Sequence, residues 1–228
     1  MSTFYFCELV TAHTEARSDS DHIDMIVSSR ASTPDRTAFI LGKSPVDPLP
    51  AMKEEADRLI RAGAELLVMP CNTAHTFYDR LTADCPVPFL NIIRVTVEHL
   101  ISRGIRTCGL LATEGTIASG AYERLCSDAG IRCLIPSQEE QTLISDVIYG
   151  AVKQNKPADY AAFLRVSRSL LERGCESLVL GCTELSLLRR AGLSQPWYLD
   201  SLEVLAWRTI LACGKKTTGF PAEFGESV

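Results

Sequence analysis

The sequence predicts an α/β fold of two similar, pseudo-symmetric domains, each a short parallel sheet flanked by helices, with the ligand site in the cleft between them. Three observations lead there. Short apolar runs alternate with longer amphipathic stretches, the pattern of a parallel sheet covered by helices. One stretch near the end of the first quarter recurs in the second half. The chain has 228 residues, 46% of them hydrophobic, enough to bury one large core or two small ones.

Taken in order, Met1 to Ala16 reads as an amphipathic helix. Strands rich in Val, Ile and Leu are expected at Asp24–Ser28, Leu66–Met69, Pro88–Ile92, Thr107–Ala112, Ile131–Ile135, Ser177–Leu180 and Trp197–Leu199. Helices are expected at Ala51–Ala62, Val95–Arg103, Ser119–Ala129, Glu139–Gln154, Ala158–Arg173 and Leu202–Cys213. Lys43 to Pro50 holds three prolines and reads as a loop, and the polar tail from Gly214 reads as mobile. The domain limits that follow are residues 1–103 with 201–228 for the first unit and 104–200 for the second.

The repeat is the most informative feature. Residues 59–73 read LIRAGAELLVMPCNT and residues 170–184 read LLERGCESLVLGCTE, with Cys71 and Cys182 in the same place. In both copies a helix ends at a glycine (Gly63, Gly174), an apolar strand follows, and the cysteine sits just past its carboxyl end. Ligands of open parallel sheets bind beyond the carboxyl ends of the strands, so two such halves aim both cysteines into one cleft.

Composition narrows the function. The formal net charge is -5 and the pI about 5.4, with no dense Lys/Arg run to track a phosphate backbone, so neither nucleic acid nor anionic membrane is an expected partner. No apolar run reaches membrane-span length, and the first residues lack a basic leader, which points to the cytoplasm. Nine cysteines without metal-ligand spacing fit a reducing compartment, no metal and no disulfide framework. Cys7, Cys85, Cys108, Cys126, Cys133, Cys175 and Cys213 are read as small buried hydrophobes.

Two mirrored thiols suit the inversion of a carbon stereocentre, in which one group removes a proton from one face and another returns one to the opposite face. A thiol lies close enough to neutrality to be tuned by a helix N-terminus or a cation, so thiolate and thiol can coexist and exchange roles. Helices are expected to start near Ala74 and Glu184, and their N–H groups would hold a thiolate or a substrate carboxylate. Asn72, Thr73 and Thr183 add neutral donors beside the thiols, or cap those helices.

The segments CNTAH (residues 71–75) and GCTE (181–184) resemble the paired signatures of the aspartate/glutamate racemase family. STPDRT (32–37) is similar to that family's substrate-carboxylate loop, and ATEGT (112–116) to the loop after the first strand of its second domain. The resemblance covers nearly the whole chain and implies interconversion of the L and D forms of a small acidic amino acid without pyridoxal phosphate or another cofactor. It also implies two α/β domains and a homodimer. It assigns Cys71 and Cys182 as the catalytic pair and Arg36 as ligand of the side-chain carboxylate. Asn72, Thr73, Thr116 and Thr183 are left for the α-carboxylate or ammonium. Lys153 is similar to a substrate-binding lysine of aspartate-type members, which the CNTAH and TPDRT motifs also favour. His75 and Glu184 stand where they could tune a thiol.

The chain departs from the family at its start. Members usually open with an apolar strand and a glycine-rich loop, whereas this sequence begins inside the helix that follows. About a dozen residues are therefore expected to be missing, with poor stability and weak activity as the consequence. A cooperative unfolding transition together with full turnover would overturn that expectation. Other readings are a related cysteine isomerase or decarboxylase acting on a dicarboxylate or hydantoin, and a binding homologue without turnover. No arginine stands six residues after either cysteine, as a phosphatase loop needs, and no lysine near them suggests a Schiff base.

Overall fold

A computed structural model describes residues 2–154, 156–221 and 224. The first helix, α1 (Ser2–His13), buries Tyr5, Phe6, Leu9 and Val10, a stripe at helical spacing, against the last helix, α11 (Ser201–Ala212). Next come α2 (Arg36–Ile40), capped by Asp35 accepting the Ala38 N–H at 2.7 Å, and α3 (Leu49–Arg61). Leu49 and Pro50 belong to α3 and not to the preceding loop. Proline costs nothing in a first turn, where its missing N–H would have no helical partner.

β1 (Leu67–Val68) pairs in parallel with β2 (Phe89–Leu90). Asp24–Ser28, expected as a strand, is irregular and joins no ladder among the described residues. A β-prone run becomes a strand only when it docks on a sheet edge, and this one docks on none among the described residues. Its apolar residues are left in the open, Ile26 at 52% exposure.

The second sheet has four parallel strands in the order β4 (Arg132–Leu134), β3 (Thr107–Ala112), β5 (Ser177–Gly181), β6 (Tyr198–Asp200). Central β3 and β5 are buried throughout, which is why they read as unbroken apolar runs. Around these sheets lie α4 (Tyr78–Thr82), α5 (Ile92–Ser102), α6 (Glu114–Ala118), α7 (Ala121–Asp128), α8 (Gln138–Ser145), α9 (Tyr160–Glu172) and α10 (Thr183–Arg190). α11 packs on α5 as well as α1. The helix expected over Glu139–Gln154 is not continuous. It widens after α8 into a π turn, Asp146–Ala151, whose Tyr149 hydroxyl reaches across to Thr37 Oγ1 at 2.8 Å.

The repeat is reproduced bond for bond. α3 ends with Gly63 N–H on the Ile60 carbonyl and Ala64 N–H on Leu59. α9 ends with Gly174 N–H on Leu171 and Cys175 N–H on Leu170. Gly63 and Gly174 take φ of 99° and 91°, the left-handed turn that lets the chain reverse directly into β1 and β5.

Two expectations are corrected. Where it is described, the tail after Gly214 is anchored at several points, with Thr218 N–H on the His13 carbonyl, Phe220 stacked on His13 and Phe224 buried, while residues 222–223 and 225–228 lie outside the described residues. Its aromatic residues outweigh its polar composition. Of the cysteines read as buried hydrophobes, Cys108, Cys126 and Cys175 are buried, Cys7, Cys85 and Cys133 are half-buried, and Cys213 is exposed at the end of α11. Among the described residues no helix is long and apolar enough to cross a membrane.

Candidate active site

Both β1 and β5 deliver a cysteine at the carboxyl end of the strand, but the turns that follow differ. After Cys71 the chain enters a 3-10 turn, Thr73–Phe77, before α4 begins. Cys182 is itself the N-cap of α10, in extended backbone, so that helix starts one residue earlier than the sequence suggests. Cys71 is half-buried and Cys182 buried. Both line one cavity of about 840 Å³, along with Arg36, Thr73, Lys153 and Glu184.

The Cys182 thiol donates to Glu184 Oε2 at 2.9 Å. Burial first, then the charge of the Glu184 carboxylate and its acceptance of the S–H, pushes this thiol well above its ordinary range, against the tuning toward neutrality that its place at a helix N-terminus suggests. Cys182 is thus held as the protonated partner. Lys153 Nζ lies 3.9 Å from Glu184 Oε1 and 4.4 Å from the centre of the Tyr149 ring. Burial works against the Lys153 charge, but Glu184, Tyr149 and both thiols more than offset it, so the ammonium is held above its usual range.

Asn72 is buried, and its amide is committed at both ends. Nδ2 donates to Ser201 Oγ at 3.0 Å, which in turn donates to the Leu180 carbonyl, and Oδ1 accepts the Tyr122 hydroxyl at 2.7 Å. Its side chain therefore fixes the Cys71 turn to the second sheet. His75 addresses the backbone carbonyl of Cys71, at 2.9 Å from Nδ1, and not the thiol, while Ile92 N–H points at Nε2 at 3.3 Å. The neutral tautomer with its proton on Nδ1 satisfies both contacts.

Burial lowers the His75 pKa to about 4. The folded state then favours the neutral ring, so its contribution to stability is present above about pH 6.5 and is lost as the pH falls toward 4, on the order of 3 kcal/mol. Urea midpoints should drop across that window, and His75→Gln should flatten the drop. An unchanged slope in the variant would place the acid sensitivity elsewhere.

Thr73, Thr113 and Thr116 form a closed triangle of buried hydroxyls, with separations of 3.0, 2.9 and 3.0 Å, that joins the Cys71 turn to the start of α6. Thr113 also caps α6 by accepting the Thr116 N–H. Arg36 is half-buried, with Nη1 engaged by the carbonyls of Pro34 (2.9 Å) and Thr33 (3.3 Å). The neighbouring Asp35 is occupied as the cap of α2. Thr183 Oγ1 lies 2.6 Å from Ser2 Oγ, so α1 closes over the Cys182 side of the site.

Sequence reading thus assembles Cys71, Cys182, Arg36, Thr73, Lys153, Thr183 and Glu184 around one cavity. It overlooks Ser2, Thr37, Tyr122, Tyr149 and Ser201, which act through contacts more than a hundred positions away or through buried links. Thr113 alone had a local signal, a threonine three residues before another at a strand-to-helix turn.

A model of the family described as Asp/Glu/hydantoin racemase matches residues 1–209, and the chain belongs to that family. It is an amino-acid racemase, an isomerase. Among solved structures, aspartate racemase from Picrophilus torridus superposes with a TM-score of 0.82 at 27% identity, covering 95% of this chain and 91% of that one. The broad specificity amino-acid racemase RacX of Bacillus subtilis is 24% identical over 160 residues, 70% of each chain. Glutamate racemase of Desulforudis audaxviator is 32% identical over 133 residues, 58% of this chain and 48% of the relative.

Proposed function

We propose that this racemase inverts the α-carbon of a small acidic amino acid, aspartate first, by two-base proton transfer between Cys71 and Cys182 without a cofactor. The observation that carries the reading is the pair of thiols at equivalent strand ends on one cavity, one held as a thiol by burial and Glu184. In one direction the Cys71 thiolate takes the α-proton: the C–H bond breaks, S–H forms, and the electron pair moves into the carboxylate. Cys182 then gives its proton to the opposite face and keeps the electron pair as thiolate. Lys153 supplies the positive field in which that thiolate forms. In the other direction the roles exchange.

Arg36 offers a planar fork at the cavity for the distal carboxylate. N–H groups and hydroxyls at Asn72–Thr73 and Thr183 take the α-carboxylate, and Thr116 acts by backing Thr73. Aspartate is placed ahead of glutamate because the relative called an aspartate racemase matches over nearly both chains, while the glutamate racemase matches over about half of itself.

The experiment is α-proton exchange of L-aspartate and of L-glutamate in heavy water, with chirality followed by polarimetry and no added cofactor. Exchange with inversion on aspartate supports the reading in full, and the same result on glutamate alone reassigns the substrate. If neither amino acid exchanges, the dicarboxylate and hydantoin chemistries of related enzymes become the better reading.

A further inference from the structure

Away from the catalytic cavity, three cysteines carried by three elements, β3, α7 and β4, meet inside the core of the second sheet. Cys108 and Cys133 are register partners on the parallel neighbours β3 and β4, so both side chains leave the same face of the sheet. α7 covers that face and lowers Cys126 onto it. The Sγ atoms of Cys108 and Cys126 are 4.0 Å apart, and all three sulfurs lie within 4.8 Å of one another. None of the three lines the cavity that holds Cys71 and Cys182.

Three sulfurs at 4.0 Å surround a point about 2.3 Å from each, the length of a bond between a soft ion and a thiolate. The remaining separations close to that value with movements below about 1 Å, and half-buried Cys133 marks the side from which an ion enters. Among the described residues no imidazole or carboxylate completes a fourth position, which disfavours zinc with its tetrahedral demand. Charge narrows the choice further. Three thiolates around a monovalent or divalent ion bury a net negative centre in an apolar core, whereas a trivalent one is neutral.

We propose that Cys108, Cys126 and Cys133 form a binding site for a trivalent thiophilic metalloid, of which arsenite is the probe. The exchange balances without an oxidant: As(OH)3 and three thiols give As(S–Cys)3 and three waters, each As–O bond being replaced by As–S as a thiol proton leaves with the hydroxide. The adduct staples β3, β4 and α7 together, so it raises the unfolding temperature while leaving the cavity untouched.

The test is arsenite titration in a Cys71→Ala/Cys182→Ala background, which removes the active-site dithiol. Intact mass and alkylatable thiols are read together. The expected result is one arsenic per chain, three thiols protected, and loss of both in Cys126→Ala. Cys133→Ser, at a half-buried position, serves as the second variant if Cys126→Ala unfolds, and Cys213→Ala is the unaffected control. No arsenic bound, fewer than three thiols protected, or binding retained in both cluster variants overturns the proposal. Because catalysis is absent from this background, failure here and failure of the racemase reading are separate results.

Discussion

Replacing Cys71 or Cys182 by alanine should cut racemisation by about 10²–10⁴-fold, the range for loss of a positioned acid or base. The two variants should not fail alike. With Cys182→Ala, Cys71 still has a proton to take, so one enantiomer should exchange its α-hydrogen with solvent while its configuration persists. With Cys71→Ala the surviving thiol is the one held protonated by burial and Glu184, so exchange should be slow at neutral pH and rise as the pH is raised. Isotope washout of each pure enantiomer, followed by mass and by optical rotation, separates the two. Equal and complete loss of exchange in both variants would mean that the thiols act as one unit and not as two one-sided bases.

Gly115→Ala should damage the protein from outside the reacting groups. A Cβ at Gly115 would fall 2.8 Å from Thr37 Oγ1 and 2.9 Å from the Thr37 Cα, where α6 meets α2. The neighbour is backbone and cannot rotate away. Thr37 also holds Tyr149 and lies next to Arg36, and α6 carries Thr116. Overpacking of this kind costs about 1–3 kcal/mol, and each kcal/mol lowers the melting temperature by about 2–4 °C in a chain of this size. Displacement of Arg36 should raise KM for an acidic substrate more than it lowers kcat. Alanine is otherwise the better helix former by roughly 1 kcal/mol, so a stabilised variant with unchanged KM would show that the contact yields without effect.

The parts legible in the sequence are those that repeat or that lie within a few residues of each other. The pair LIRAG and LLERG predicts two helix ends at glycine, and both turns form by the same two hydrogen bonds. The apolar run at Thr107–Ala112 is a strand to the residue. Asp24–Ser28 is likewise centred on apolar residues and is not a strand, because pairing depends on docking to an edge, which composition does not reveal. Asn72 illustrates the limit at the site. Its place after Cys71 marks it as a ligand group, but its amide is taken by Tyr122 and Ser201, 50 and 129 positions away. The cysteine triad stayed hidden for a similar reason: its members meet only through the register of β3 on β4 and the seating of α7.

The two thiols sit in unlike surroundings, Cys182 buried and bonded to Glu184, Cys71 half-buried on a 3-10 turn. Enantiomers have equal free energy in water, so the equilibrium constant of the reaction is one whatever the enzyme does. The Haldane relation then forces kcat/KM to be identical for the L and D forms. All of the asymmetry between Cys71 and Cys182 must therefore appear within that ratio, as a kcat and a KM that are both larger for one hand than for the other. The enzyme can favour one direction only when the substrate is saturating.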